Sequence, residues 1–279
     1  MSLLLEEHTY VLRKCFFAVQ NEVGLGRSEE AYHQACKFWL AENQIPVVSK
    51  PPHRLFVAGR EAHVLTPDFV GWSVMTIEIK AVPRRLNSTE WVQIRDYMKC
   101  RGDSLGLLVS FGLDRVHVER VVQTPCETTL VEEFSHWQGA MTSEPRNLGA
   151  AIRDALRNVY SEHSTGYGRE VISRLVRCAL TAQGLHVAPN PVVSSYYGGV
   201  AIDASPLDCL IVNNRYVLVL TSLFDSNEFN VSRGLSFMKS LQLEWGVAVN
   251  FGKRQAEFRG LRHRSGKSSP RATRIGPGA

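Results

Sequence analysis

The chain has 279 residues, 44% of them hydrophobic and 21% charged, with a formal net charge of +5. This suits one large or two ordinary globular domains and excludes a disordered or fibrous chain. No apolar run is long enough to span a bilayer, and the N-terminal "MSLLLEEHTY" lacks the basic start of a signal peptide, so a cytoplasmic protein is expected.

In chain order, Leu12, Cys15, Phe16 and Val19 recur at helical spacing, which predicts an amphipathic helix over about 8–22. A second helix is expected over 28–43, with Ser28 as its N-cap. Three strands follow near 54–58, 62–70 and 74–81, then a helix over about 88–101 and a buried strand at 105–112. The order α-α-β-β-β-α-β implies a mixed sheet flanked by helices.

A shift of 140 residues aligns the chain with itself without a gap. Gly26 falls on Gly166, Pro51 on Pro191 and Asp68 on Asp208, while "GLLVSFG" (106–112) meets "GVAVNFG" (246–252). Two domains of one α/β fold are therefore expected, at 1–140 and 148–258, divided near the polar stretch "MTSEPRN" (141–147). Two such domains in one chain can pack as an intramolecular pseudo-dimer. Residues 259–279 hold Arg259, Arg262, Arg264, Lys267, Arg271 and Arg274 and no acid, so the excess positive charge lies there. The tail reads as a disordered basic arm, either a solubilising terminus or a contact for nucleic-acid phosphates through Arg262, Arg264, Lys267 and Arg271.

The stretch "PDFVGWSVMTIEIK" (67–80) places Asp68, Glu78 and Lys80 among residues that want burial. Buried charges are costly unless paired or bound to a metal. Side chains alternate along a strand, so Glu78, Lys80 and Thr76 share one face, and Met75, Ile77 and Ile79 line the other. A three-residue turn or a bulge brings Asp68 to the face of Glu78; a strict two-residue turn does not. Two carboxylates converging there make a hard oxygen site suited to Mg²⁺ or Mn²⁺. An ordinary ion cluster on an exposed strand face would present the same residues.

Pro67-Asp68 followed by Glu78-Ile79-Lys80 resembles the PD-(D/E)xK nuclease signature. More narrowly, Gly26, Glu29 and Tyr32 resemble the naming motif of its GxxExxY family, and "EWVQIRDYMK" (90–99), with Gln93, is similar to that family's next helix. The resemblance implies tandem restriction-endonuclease-like domains. It implies a Mg²⁺- or Mn²⁺-dependent nuclease acting on nucleic acid, expected to be DNA. Asp68 and Glu78 would hold the metal, with the Ile79 carbonyl as a third ligand and Glu29 completing the acidic cluster. Lys80 would position the attacking water, and Gln93 would orient Lys80 or that water. Tyr32 would contact a phosphate or pack, with packing favoured. Trp91 would stack on a base or join the core.

In the second copy Glu78 becomes Leu218, Lys80 becomes Leu220, Glu29 becomes Arg169 and Gln93 becomes Arg233. This half reads as a degenerate domain unable to hold metal, its Asp208 paired with a cation instead. A non-catalytic nucleic-acid-binding or regulatory subunit of a repair or defence complex is the alternative reading, with a protein partner on the second domain. The six cysteines form no CxxC pair and read as scattered thiols rather than a zinc site.

Overall fold

The computed structural model describes residues 4–263, so Arg264, Lys267 and Arg271 lie outside the described residues. Among the described residues no helix is long and apolar enough to cross a membrane. None of the six cysteines is in a disulfide.

The first copy opens with α1 (Glu6–Val23) and α2 (Glu29–Glu42). Ser28 caps α2, its hydroxyl accepting from the Ala31 amide at 3.2 Å. The strands β1 (Val47–Ser49), β4 (Phe69–Gly71), β5 (Met75–Lys80), β6 (Leu105–Ser110) and β7 (His117–Val122) form a sheet in that spatial order. The β5–β6 pair is parallel and the others antiparallel. A parallel pair needs a crossover, which α3 (Ser88–Arg101) supplies; it starts in a capping box formed by Asn87 and Glu90. Met75, Ile77, Ile79, Leu107 and Val109 bury against α1 and α2. On the other face Ile94 and Met98 of α3 meet Leu108 and Val121. Trp91 packs against this second cluster, which favours the core reading.

The strand expected over 62–70 is two strands. The segment β3 (Arg60–Leu65) pairs with β2 (His53–Val57) in a separate hairpin, whereas β4 joins the main sheet. Pro67 lies in the break; proline has no amide hydrogen for a ladder. The edge strands β1 and β7 were not anticipated.

The second copy repeats the plan. The helices α4 (Ser143–His163), α5 (Arg169–Ala182) and α6 (Glu228–Leu241) correspond to α1, α2 and α3. Its sheet runs β8 (Thr129–Glu133), β15 (Gln255–Arg262), β14 (Trp245–Phe251), β13 (Tyr216–Ser222), β12 (Leu210–Val212) and β9 (Val187–Pro189), with β13–β14 parallel. A hairpin, β10 (Val192–Tyr197) and β11 (Val200–Pro206), stands apart.

Two features bear on the expected boundaries. Contacts divide the described residues into one unit of 4–55 and 63–125 and another of 56–62 and 126–263. The division at 125 precedes the stretch 141–147 because β8 pairs in parallel with β15 of the second sheet. The basic tail does not begin at 259 either. Arg259 and Arg262 lie in β15, where Arg262 bonds Glu244 at 2.9 Å and lies over the Trp245 ring. An alternating buried pattern in 255–262 makes this segment a strand despite its basic charge.

A glycine the repeat had matched follows β6 and β14, one strand of each parallel pair. A Cβ at Gly112 would collide with the backbone of Val82, and one at Gly252 would fall 2.6 Å from the Phe224 carbonyl oxygen. Backbone yields less readily than a side-chain tip. Gly112→Ala is expected to cost about 3 kcal/mol of stability, read as a lowered urea midpoint. A midpoint equal to the wild type would show that the Val82 segment shifts freely.

Candidate active site

The turn between β4 and β5 sets the site. Gly71 pairs with Met75 and Phe69 with Ile77, leaving Trp72, Ser73 and Val74 as a three-residue turn. Trp72 and Ser73 take φ of 48° and 62°, a left-handed conformation. The turn is held from two sides: Arg101 donates to the Ser73 carbonyl at 3.1 Å, and Trp72 meets His8 edge-to-face. Continued one residue, this register puts Asp68 opposite Glu78, the outcome a strict two-residue turn forbids.

Glu78 is 3% exposed. Burial, with the Asp68 charge added, pushes its carboxyl up to about 8, against the pull of Lys80 and of a hydrogen bond from the Asp68 amide. Lys80 donates to Glu78 at 2.7 Å and lies 3.7 Å from Glu29. Burial disfavours the Lys80 ammonium, but Glu78, Glu29 and Asp68 outweigh it and its pKa is raised. Asp68 accepts the Ile79 amide at 2.8 Å through one oxygen. The four residues Glu29, Asp68, Glu78 and Lys80 are thus brought together around the end of β5.

Gln93, expected to orient Lys80 or a water, makes its contact within α3. Its amide donates to the Tyr97 hydroxyl at 2.8 Å, one helical turn on. Burial first, and then the Glu78 charge, raise the Tyr97 pKa, so this phenol belongs to the environment of Glu78. Tyr32 is fully buried, stacked on Phe111 at 4.6 Å and bonded to the Gly24 carbonyl at 2.7 Å. It therefore packs and anchors the loop before α2, in which Gly26 has φ of 73°. Arg262 stands in β15, paired as described, and not at this site.

Sequence reasoning missed His33. It is 2% exposed, stacks on Phe69 at 4.3 Å, and its Nε2 lies 3.3 Å from both the Asp68 carbonyl and the Ser49 hydroxyl. It locks the backbone that carries Asp68. Its place four residues after Glu29 on α2, hence on the same helix face, was the available signal. Tyr97 follows Gln93 at the same spacing.

Among the described residues no three His, Cys, Asp or Glu side chains form a ready-made metal cage. The donors still suit a hard divalent ion. Asp68 and Glu78 offer carboxylate oxygens, and the Asp68 charge adds to the burial that raises Glu78. A cation between them would relieve that repulsion.

In the second copy Leu218 and Leu220 are buried at the equivalent strand positions. Asp208 pairs with Arg169 and, at 3.3 Å, with Arg233. The cation pairing expected for a carboxylate stripped of its fellow ligands is present.

Together these features define a duplicated α/β fold, with an acidic, lysine-bearing strand in the first copy alone. A family model described as the PD-(D/E)XK nuclease superfamily matches residues 6–121 and again residues 146–261. The chain belongs to that superfamily, as two tandem copies. No curated protein and no solved structure matches it.

The raised Glu78 carboxyl makes a pH prediction. A pKa raised on folding contributes stability that is complete below the unfolded value of 4.5 and is lost as pH rises through about 8. Metal-free protein should lose stability between these limits, Glu78→Gln should flatten the profile, and Mg²⁺ should restore stability most at the alkaline end. Metal affinity should fall by up to about tenfold per pH unit below 8, because binding displaces a proton. Thermal melts in chelator and in Mg²⁺ check both trends. A Glu78→Gln melt profile that tracks the wild type at every pH would assign the titration to another group.

Proposed function

We propose that this protein is a metal-dependent nuclease that hydrolyses phosphodiester bonds in DNA, with a single active site in the first copy. The observation that carries the reading is the convergence of Asp68, buried Glu78 and Lys80 at the end of β5. Superfamily membership supports the nuclease class. The narrower GxxExxY reading rests on the sequence motif at Gly26, Glu29 and Tyr32.

In this reading Asp68, Glu78 and the Ile79 carbonyl hold Mg²⁺ or Mn²⁺, and Glu29 adds negative charge at the rim. When bound, the ion lowers the pKa of water and stabilises charge on the scissile phosphate. Lys80, already held by Glu78, presents an ammonium that orients the water and meets the developing negative charge. Gln93 acts through Tyr97, and His33 through the Asp68 backbone; both are positioning residues. Glu29 at 44% side-chain exposure leaves the rim open to solvent, as a polymeric substrate requires.

Purified full-length protein should cleave DNA with Mg²⁺ or Mn²⁺ and not in chelator. Asp68→Ala, Glu78→Gln and Lys80→Ala should each lower the rate about 10²-fold or more. Single substitutions should leave no second activity, because the other copy lacks the ligands. Lys80→Ala should still bind metal by calorimetry, since an ammonium is not a ligand. Undiminished cleavage by Glu78→Gln with matched metal and an intact fold would remove the site from the mechanism.

A further inference from the structure

The second copy keeps a cleft at the place where the first has its acidic site. A cavity of about 350 Å³ is walled by Arg169, Glu170, Ser173, Arg174 and Arg177 of α5, with Asn190 and Asp208 also lining it. Shifted by 140 residues, these are Glu29, Glu30, His33, Gln34, Lys37, Lys50 and Asp68. The cavity is thus the old site with a new lining. Leu220 closes its floor where Lys80 stood.

The new lining is rich in hydrogen-bond donors. Arg169, Ser173 and Arg177 recur every four residues and so share a helix face, with Arg174 beside them. The guanidinium of Arg169 is aimed by the Leu220 carbonyl, to which its Nε donates at 3.0 Å. Asp208 holds the same guanidinium from the other side. Arg174 pairs with Glu170 at 2.8 Å. Both arginines are nearly half exposed, and such solvated pairs are worth about 0–1 kcal/mol. An incoming anion with good geometry can therefore re-engage these guanidiniums. Planar, multidentate donors suit phosphate oxygens. Drift alone would account for the loss of the carboxylate and lysine at 218 and 220. It does not account for an open cleft lined by three guanidiniums.

We propose that this cleft is a phosphate-binding subsite that seats the backbone of a nucleic-acid strand without cutting it. The identity of the ligand rests on the nuclease reading of the first copy; the phosphate chemistry rests on the cleft itself. The subsite gives the degenerate copy a binding role.

The test uses full-length protein in chelator, so that nothing is cleaved, and a fluorescein-labelled DNA oligonucleotide followed by anisotropy between 50 and 200 mM salt. Arg174→Gln/Arg177→Gln, which removes two cavity-wall charges, should weaken binding about tenfold near 100 mM salt. It should also lower the salt slope by about one to two. Asp208→Asn, which removes the competing carboxylate, should act in the opposite direction and tighten binding. An unchanged Kd and salt slope in a double variant that melts like the wild type would overturn the subsite. Loss of inorganic pyrophosphate binding with oligonucleotide binding intact would overturn the assignment to a strand. The two readings fail separately. Metal-dependent cleavage with unchanged affinity in the double variant sinks only the subsite, and weakened binding without any cleavage sinks only the nuclease.

Discussion

The burial of Glu78 is the constraint around which the first copy is arranged. A carboxylate at 3% exposure must be neutral, paired or metal-bound. Lys80 satisfies part of that demand at 2.7 Å, two residues along the same strand. Asp68 works against it by adding a second negative charge. The site is thus held with an unmet demand for positive charge, which a bound cation would meet. Several distant contacts serve this one arrangement. The Trp72–Val74 turn fixes the register, Arg101 clamps the turn, and His33 ties down the Asp68 carbonyl. Arg101 also bonds Asp103, which takes the Thr76 hydroxyl on the same face of β5 as Glu78. One sheet face thereby carries a polar line whose members all have partners.

Much of this was legible in the sequence because it is written in local periodicity. The helices α2 and α3 differ by no more than one residue at either end from the spacing that predicted them. Strand alternation alone placed Glu78 and Lys80 together. What could not be read depended on partners distant in the chain. The three-residue turn was one of two open options, and only pairing with β5 decided it. β1 is three residues long and shows no alternation of its own; its identity comes from β4. Gln93 was expected, by resemblance, to orient Lys80 or a water. Its amide instead meets a phenol at i+4, a local contact that helix geometry favours. Arg262 misled because net charge outweighed pattern. Arg262, alternating with buried residues in 255–262, covers the strand with its stem and pairs its charge with Glu244.

The two copies are an internal comparison of what the fold needs and what the chemistry needs. The helix pairs, the parallel strand pair and the crowded glycine at its end recur in both. These are requirements of backbone packing. The Glu78–Lys80 pair does not recur; Leu218 and Leu220 fill its place with almost no exposure. Replacing a buried ion pair by apolar side chains is often neutral or stabilising, because the desolvation cost of the charges disappears. The second copy therefore had no energetic reason to retain the pair once it was not used. The first copy keeps a costly arrangement, and folding alone supplies no reason for it. That difference is itself an argument that Glu78 and Lys80 serve chemistry. The same logic applies in reverse to the cleft of the second copy. The strand beneath took apolar residues at 218 and 220, yet the α5 wall carries arginines over that leucine floor. Guanidiniums crowded along one helix repel each other unless something negative is shared among them. Glu170 and Asp208 supply part of that charge, and a phosphate in the cleft would supply the rest.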